Sequence, residues 1–310
     1  MRSEPFLLTI MPRWLAAYVE LSRLYEPLFV LIIYLPILAG LFHGALVAHP
    51  QITPEILLQC VFNWLPLSLL WEAFACIVND IVDQNLDRKV ERTRNRPIAR
   101  GSISTHQGCT FAALVSLMIL TLSSQILPSF SLLYYFLTTL GCIIYAFSKR
   151  FTYYAQAVVG LVHAVISLLA SYSVGFDAFS APRNVLISSL SLVVAVFFLV
   201  TTYEFIYAYQ DMEEDIKFGM KSMAVKYGYS GRAVLLAFSI IYGGLLILSG
   251  TAGALGSKYF SGAVCSIVTV FLSAALVDLK SPQSCSQCFL YGFVAGSATL
   301  ASGLLAEYAF

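Results

Sequence analysis

Three aspartates stand close together in Asn79-Asp80-Ile81-Val82-Asp83-Gln84-Asn85-Leu86-Asp87, with Arg88 and Lys89 directly after them. At 100° per residue, Asp80, Asp83 and Asp87 fall within about 60° of one another on a helix. Carboxylates on one helical face repel each other and weaken the helix unless cations bind there. A second acidic run, Asp211-Met212-Glu213-Glu214-Asp215, places Asp211 and Asp215 at i,i+4. The two runs hold 7 of the chain's 17 acidic residues. One such run reads as a solvated helix end. Two, each followed by Lys and Arg, point instead to bound cations and an anionic ligand. Oxygen-only donors suit Mg²⁺, a hard cation commonly held by a few carboxylates plus substrate phosphates. Interleaved Arg and Lys suit a diphosphate held against such metals. The implied chemistry is departure of diphosphate, because Mg²⁺ and cationic side chains stabilise charge developing on the leaving oxygens. The sequence holds neither a G-x-x-x-x-G-K-[ST] loop nor a G-x-G-x-x-G turn after a strand, so a nucleotide lacks its usual cradle.

The elements that must position these residues are membrane spans. Hydrophobic types make up 59% of the 310 residues and charged types 11%, against about 25% charged in a soluble domain. Mean hydropathy is +0.80. Stretches long and apolar enough to cross a bilayer occupy nine segments, roughly 28–48, 56–79, 108–126, 130–148, 155–174, 184–208, 233–253, 259–277 and 288–306. Turn residues separate them, as at His49-Pro50 and Ala181-Pro182. A secreted disulfide scaffold, a disordered chain and an ordinary cytosolic enzyme are excluded.

The basic residues test the count. With nine spans, 16 of the 18 Lys and Arg fall on one side, leaving Arg183 and Lys258 on the other. The positive-inside rule makes the richer side cytoplasmic, or matrix-facing in an organelle. It carries a short N-terminal arm, 1–22, and both acidic runs; the arm lacks the features of a cleavable signal. An intracellular membrane is the expected location. The expected fold is all-α, a single domain over 1–310 forming a polytopic bundle of nine transmembrane helices around a central cavity.

Two further acids, Glu72 and Glu204, sit inside apolar spans, where an ionisable group suggests function. Glu72 lies about 20° in azimuth from Asp83 and roughly 16 Å deeper along a helix. Glu204 lies about 20° from Asp211 and roughly 10 Å deeper. Either could hold an acceptor or take a proton from it; the structural alternative is a hydrogen bond to a neighbouring helix. Aromatics near both runs, among them Trp71, Phe74, Tyr145, Tyr203, Tyr207 and Tyr209, could face an allylic cation or simply anchor the interface. His163 reads as a core histidine. Seven cysteines are scattered, and Cys285-x-x-Cys288 has no partner pair for a zinc site. The basic stretch 88–100 suits anionic lipid rather than nucleic acid, being pinned at a membrane and interrupted by matched acids. No obligatory protein partner is evident.

Four ordered segments resemble the UbiA-type intramembrane prenyltransferases, most closely the eukaryotic 4-hydroxybenzoate polyprenyltransferase-like branch. Asn79, Asp80, Asp83 and Asp87 match N-D-x-x-D-x-x-x-D. The stretch 92–101 is similar to the family's R-T-x-x-R-P segment. Tyr145, Lys149, Arg150, Thr152, Gln156 and Gly160 match Y-x-x-x-K-R-x-T-x-x-P-Q-x-x-L-G, with Ala155 in place of the Pro. Tyr207 to Asp215, leading into Lys217, Gly219, Lys221 and Ser222, completes the set; Arg23 and Pro27 match the opening helix, and Leu28 replaces a frequent Gly. Relatives acting on 4-hydroxybenzoate carry Arg seven positions before the first Asn, where this chain has Glu72.

The resemblance implies a nine-helix membrane enzyme that transfers a polyprenyl group, most plausibly farnesyl, to an aromatic carbon. Asp80, Asp83, Asp87, Asp211 and Asp215 would hold Mg²⁺. Asn79, Arg94, Arg96, Lys149, Lys217, Tyr145 and Tyr209 would bind the diphosphate, with Arg150 either joining them or facing the acceptor. Asp80, Asp83, Glu72, Glu204 and Arg150 form the expected catalytic set. The charge reversal at Glu72 favours a phenolic or pyrone polyketide of a meroterpenoid pathway as acceptor. The alternatives are a membrane terpene cyclase with no acceptor, a 4-hydroxybenzoate polyprenyltransferase of ubiquinone synthesis, and a carrier without turnover.

Overall fold

A computed structural model describes residues 6–310; the first five residues of the arm, Arg2 among them, lie outside the described residues. The arm supplies α1 (Phe6–Thr9) and α2 (Arg13–Leu21), followed by α3 (Pro27–Val47), α4 (Pro54–Asp87), α5 (Thr105–Ile126), α6 (Ser131–Ser148) and α7 (Ala155–Ser173). Then come α8 (Arg183–Ala208), a 3₁₀ turn (Tyr209–Asp211), α9 (Met212–Lys217), α10 (Met223–Tyr227), α11 (Gly231–Ala252) and α12 (Ser257–Leu276). The chain ends with α13 (Pro282–Gln287), a π turn (Cys288–Gly292) and α14 (Phe293–Ala309). Among the described residues no strand forms, and nine helical stretches are long and apolar enough to span a membrane. All-helical structure is what a bilayer demands, since each helix satisfies its own backbone polar groups.

The chain divides into two compact units, each discontinuous in sequence. One comprises residues up to Val30 together with Pro66–Phe147; the other comprises Leu31–Leu65 and Ser148–Phe310. The division cuts α3 after Val30 and α4 at Pro66, a proline that leaves one carbonyl of the preceding turn without its backbone donor. In the first unit, Trp71 Nε1 donates to Cys142 Sγ at 3.2 Å, tying α4 to α6. Ser116 and Tyr135 hydroxyls meet at 2.8 Å between α5 and α6. Helix α5 starts at a full capping box formed by Ser104 and Gln107, which satisfies donors the first turn would leave open.

The second unit shows how charged side chains substitute for missing helix partners. The Glu307 carboxylate accepts from the backbone N–H groups of Gly256, Lys258 and Tyr259 at 3.0, 3.0 and 3.2 Å, capping the start of α12. At its other end, the Arg232 guanidinium donates to the carbonyls of Ala274, Ala275 and Val277. Both charges carry the sign that the helix dipole favours at that end. Along its length α12 packs on α14 through Gly262 and Gly303, where an added Cβ on either would collide with the other's backbone. Close backbone approach of this kind is a common source of helix association in lipid.

Helix ends differ from the apolar segments read from sequence. The span at 56–79 is part of a 34-residue helix reaching Asp87, so the first acidic run is helical throughout. Polar residues cut short an apolar stretch without ending a helix.

Candidate functional site

In the first unit the acidic run occupies the last turns of α4. Asp80, Asp83 and Asp87 are all buried, at 1%, 5% and 4% exposure, as their common helical face requires. Buried carboxylates need charge partners, and two arginines from opposite directions in sequence supply them. Arg23 Nη2 donates to both oxygens of Asp80, at 3.0 and 3.1 Å. Arg96 Nη1 lies 3.0 Å from Asp87 Oδ2 and 3.2 Å from Asp80 Oδ1, bridging the two carboxylates. Burial alone would disfavour the Arg23 cation, but the Asp80 carboxylate outweighs it and raises the Arg23 pKa above its ordinary value.

The segments carrying these arginines are held in turn. Arg23 adopts φ 57, a left-handed conformation that costs a non-glycine residue free energy. Its Nη1 also donates to Glu20 O at 2.7 Å. Arg100 pairs with both oxygens of Glu20 at 2.8 and 2.6 Å, joining the 92–100 segment to α2. Thr93 Oγ1 reaches Asp87 O at 3.3 Å, and Arg88 Nε donates to Ala99 O at 3.2 Å. Of the two arginines expected on the diphosphate here, Arg96 pairs with the aspartates. Arg94 is 59% exposed and pairs with Glu91 at 3.7 Å. Glu72 lies half-buried two turns below Asp80 on the same helix and accepts from the Cys76 thiol at 3.2 Å. Asn79 and Tyr145 are half-buried.

The second unit carries the other run on a broken helix. α8 holds half-buried Glu204 and ends at Ala208; Asp211 closes the 3₁₀ turn, and Asp215 is buried in α9. Asp211 therefore precedes α9 as its N-cap residue instead of sharing one continuous helix with Asp215, as the i,i+4 spacing suggested. The break is pinned by Tyr209, whose hydroxyl donates to Gly228 O at 2.5 Å and whose ring stacks on Phe205. A Cβ on Gly231 would strike that hydroxyl. The structure thus gives the Tyr209 hydroxyl, expected on a diphosphate, a backbone carbonyl as partner. Lys217 is exposed at the end of α9, with Nζ 5.5 Å from the Phe218 ring centre.

The segment after α6 supports this run. Lys149 O accepts from Lys221 N at 2.7 Å, and Gln156 Oε1 accepts from Met223 N at 3.1 Å. Lys149 is half-buried and Arg150 exposed. The residue that sequence reasoning left without a role is Arg23; its only signal was a lone basic residue matching the opening helix. His163, read as core, is buried, with Nδ1 2.9 Å from Val159 O.

The donor chemistry fits a divalent metal. Three buried carboxylates on one helix offer hard oxygens only, and Asp211 and Asp215 offer the same. Among the described residues no three acidic, His or Cys side chains converge into a protein-only metal cage.

Among the described residues nine helices are long and apolar enough to span a membrane, and known proteins share this helical fold. The solved structure of a UbiA homolog from Archaeoglobus fulgidus bound to GPP and Mg²⁺ superposes with a TM-score of 0.71 at 21% identity, covering 95% of this chain and 100% of that one. A prenyltransferase of Stachybotrys bisbyi is 33% identical over 86% of this chain and 79% of its own. The 4-hydroxybenzoate octaprenyltransferase of Pseudomonas aeruginosa is 32% identical over 94% of this chain and 93% of its own. The pattern of the UbiA prenyltransferase family matches residues 33–297. The chain belongs to the UbiA prenyltransferase family and is a multi-pass, membrane-bound prenyltransferase.

Proposed function

We propose that the protein transfers a polyprenyl group, of farnesyl length, from its diphosphate to an aromatic carbon of a phenolic or pyrone polyketide. The observation that carries this reading is the ladder of half-buried Arg23 and Arg96 with buried Asp80 and Asp87, an array of charge suited to a diphosphate and its counter-ions. Asp80, Asp83 and Asp87, with Asp211 and Asp215, would hold Mg²⁺, which supplies positive charge to the departing oxygens. Arg96, Arg94, Lys149 and Lys217 add cationic charge, and Asn79 and Tyr145 add polar contacts. The allylic C–O bond breaks, diphosphate leaves with the electron pair, and an electron-rich ring carbon forms the new C–C bond. Glu204 or Glu72 takes the ring proton, and Arg150 faces the acceptor.

Residues 1–310 act as one catalytic domain, since the family match at 33–297 runs through both units. The bias of Lys and Arg puts both acidic runs and the N-terminus on the cytoplasmic or matrix side of an intracellular membrane. A second reading, transfer to 4-hydroxybenzoate, is favoured by the near full-length similarity to the Pseudomonas enzyme. Glu72 argues against it, because a carboxylate repels benzoate.

The test incubates membranes from a heterologous host with farnesyl diphosphate, with and without Mg²⁺, against phenolic acids and pyrones. A Mg²⁺-dependent adduct heavier by one farnesyl group on a phenolic or pyrone polyketide is the expected product. An adduct confined to 4-hydroxybenzoate would establish the second reading, and a terpene formed without acceptor would replace transfer by cyclisation. Glu72→Arg should shift preference toward 4-hydroxybenzoate.

A further inference from the structure

In the second unit, three loops meet around the turn between α10 and α11. From the end of α10, just before that turn, Lys226 reaches the exposed Tyr154, its Nζ hydrogen-bonded to the phenol and 4.2 Å from the ring centre. The hydrogen bonds from Lys226 and Tyr227 hold the Tyr154 phenol below its usual pKa. On the other side of the turn, Lys280 lies 5.4 Å over the Tyr229 ring. Lys221, 5.6 Å over Tyr153, extends the basic edge, and its Nζ donates to Phe151 O at 3.3 Å. Tyr154, Tyr229 and Phe151 are 42%, 45% and 63% exposed. The Asp278 carboxylate lies beside Lys280 and accepts its backbone N–H through Oδ1. The ammonium groups of Lys226, Lys280 and Lys221 line the exposed rings.

Exposed rings beside lysines, at the ends of spanning helices, are the chemistry of the bilayer interface. The rings suit the headgroup level and the lysines suit phosphate. A soluble anion would use the lysines and leave the rings idle. The patch also has a route inward: Tyr229 stacks on Tyr209 at 6.3 Å, and Tyr209 stacks on Phe205 at 5.4 Å. Tyr209 stands two residues before Asp211.

We propose that the turn Lys226–Tyr229, with Tyr154 and Lys280, binds the headgroups of anionic phospholipids, and that their occupancy stiffens the broken helix carrying Asp211 through the Tyr229–Tyr209–Phe205 stack. Neither lysine belongs to the proposed catalytic set, so the inference stands apart from the choice of acceptor.

The test uses the purified full chain in neutral detergent, titrated with phosphatidylglycerol, phosphatidylcholine or inorganic phosphate. Native mass spectrometry counts bound lipid, and the thermal midpoint is read alongside. The wild type should prefer phosphatidylglycerol and melt higher with it. Lys226→Gln/Lys280→Gln should lose about twentyfold in phosphatidylglycerol affinity, and the single Lys280→Gln about fivefold, while Lys226→Arg/Lys280→Arg retains the preference. Hydrogen exchange at 209–215 should slow with phosphatidylglycerol in the wild type and the Arg variant, and not in the double Gln variant. Wild-type lipid affinity in both Gln variants would overturn the site. An equal midpoint shift from inorganic phosphate would overturn the lipid assignment, and unchanged exchange at 209–215 would overturn the coupling.

Discussion

The two acidic runs share a composition and are built in different ways. The first lies on one unbroken helix, and its Asp80 and Asp87 carboxylates are set by ion pairs with Arg23 and Arg96 from segments before and after it. The second lies across a break, and packing sets it: Tyr209 locked to Gly228, the Phe205 ring beneath it, and Gln156 holding the chain at Met223. Ion pairs hold the first helix end, whereas ring stacking and a backbone acceptor hold the turn that leads into the second. Removing a cation should disturb the first run, and crowding that turn should disturb the second.

The largest expected effect breaks the charge side of that contrast. Arg23→Met leaves the buried Asp80 carboxylate with Arg96 as its remaining recognised cation, so the loss should approach but not exceed the about 3–5 kcal/mol that breaking a buried pair costs. Thermal unfolding in detergent should show the loss, and Arg23→Met/Asp80→Asn should recover most of it without recovering turnover. Equal stability of Arg23→Met and wild type would show that the pair contributes no net stability.

Next come the carboxylates. Asp83→Ala and Asp215→Ala should each lower the farnesyl-transfer rate by about 10²–10³. If both runs serve one diphosphate, the double variant falls little further than either single one, because groups acting as a unit are not additive. Multiplicative losses in initial rates would separate the two runs.

The steric side is sharpened by Gly231→Ala. Its Cβ displaces the Tyr209 hydroxyl, an overpacking cost of about 1–3 kcal/mol. Hydrogen exchange should accelerate at 209–215 and stay unchanged at 80–87. Tyr209→Phe, the mildest change, removes one hydrogen bond worth about 1 kcal/mol. It should lower the thermal midpoint slightly and leave diphosphate affinity near wild type, as expected of a hydroxyl committed to Gly228. A large loss of affinity would return Tyr209 to the diphosphate.

Much of this was legible in the residues. The nine spans follow from long apolar stretches, and the common face of Asp80, Asp83 and Asp87 follows from helical spacing alone. Glu72 and Glu204 stood out because acids are rare in apolar spans. The partnership of Arg23 with Asp80 was not legible: 57 residues separate them, and no local period records a contact so remote. Arg94 and Arg96 looked alike in sequence, yet one turns to Glu91 and the other bridges two aspartates.

By itself the sequence determined that the chain is helical and membrane-spanning, and that two oxygen-rich runs stand at helix ends, because hydropathy and helical periodicity act over neighbouring residues. Only the tertiary structure decided which cation meets which carboxylate, where α8 breaks, and that Glu307 and Arg232 cap α12. Those outcomes depend on burial and on close approach between segments far apart in the chain, where a charge or hydroxyl removed from water must find whichever partner the fold brings near.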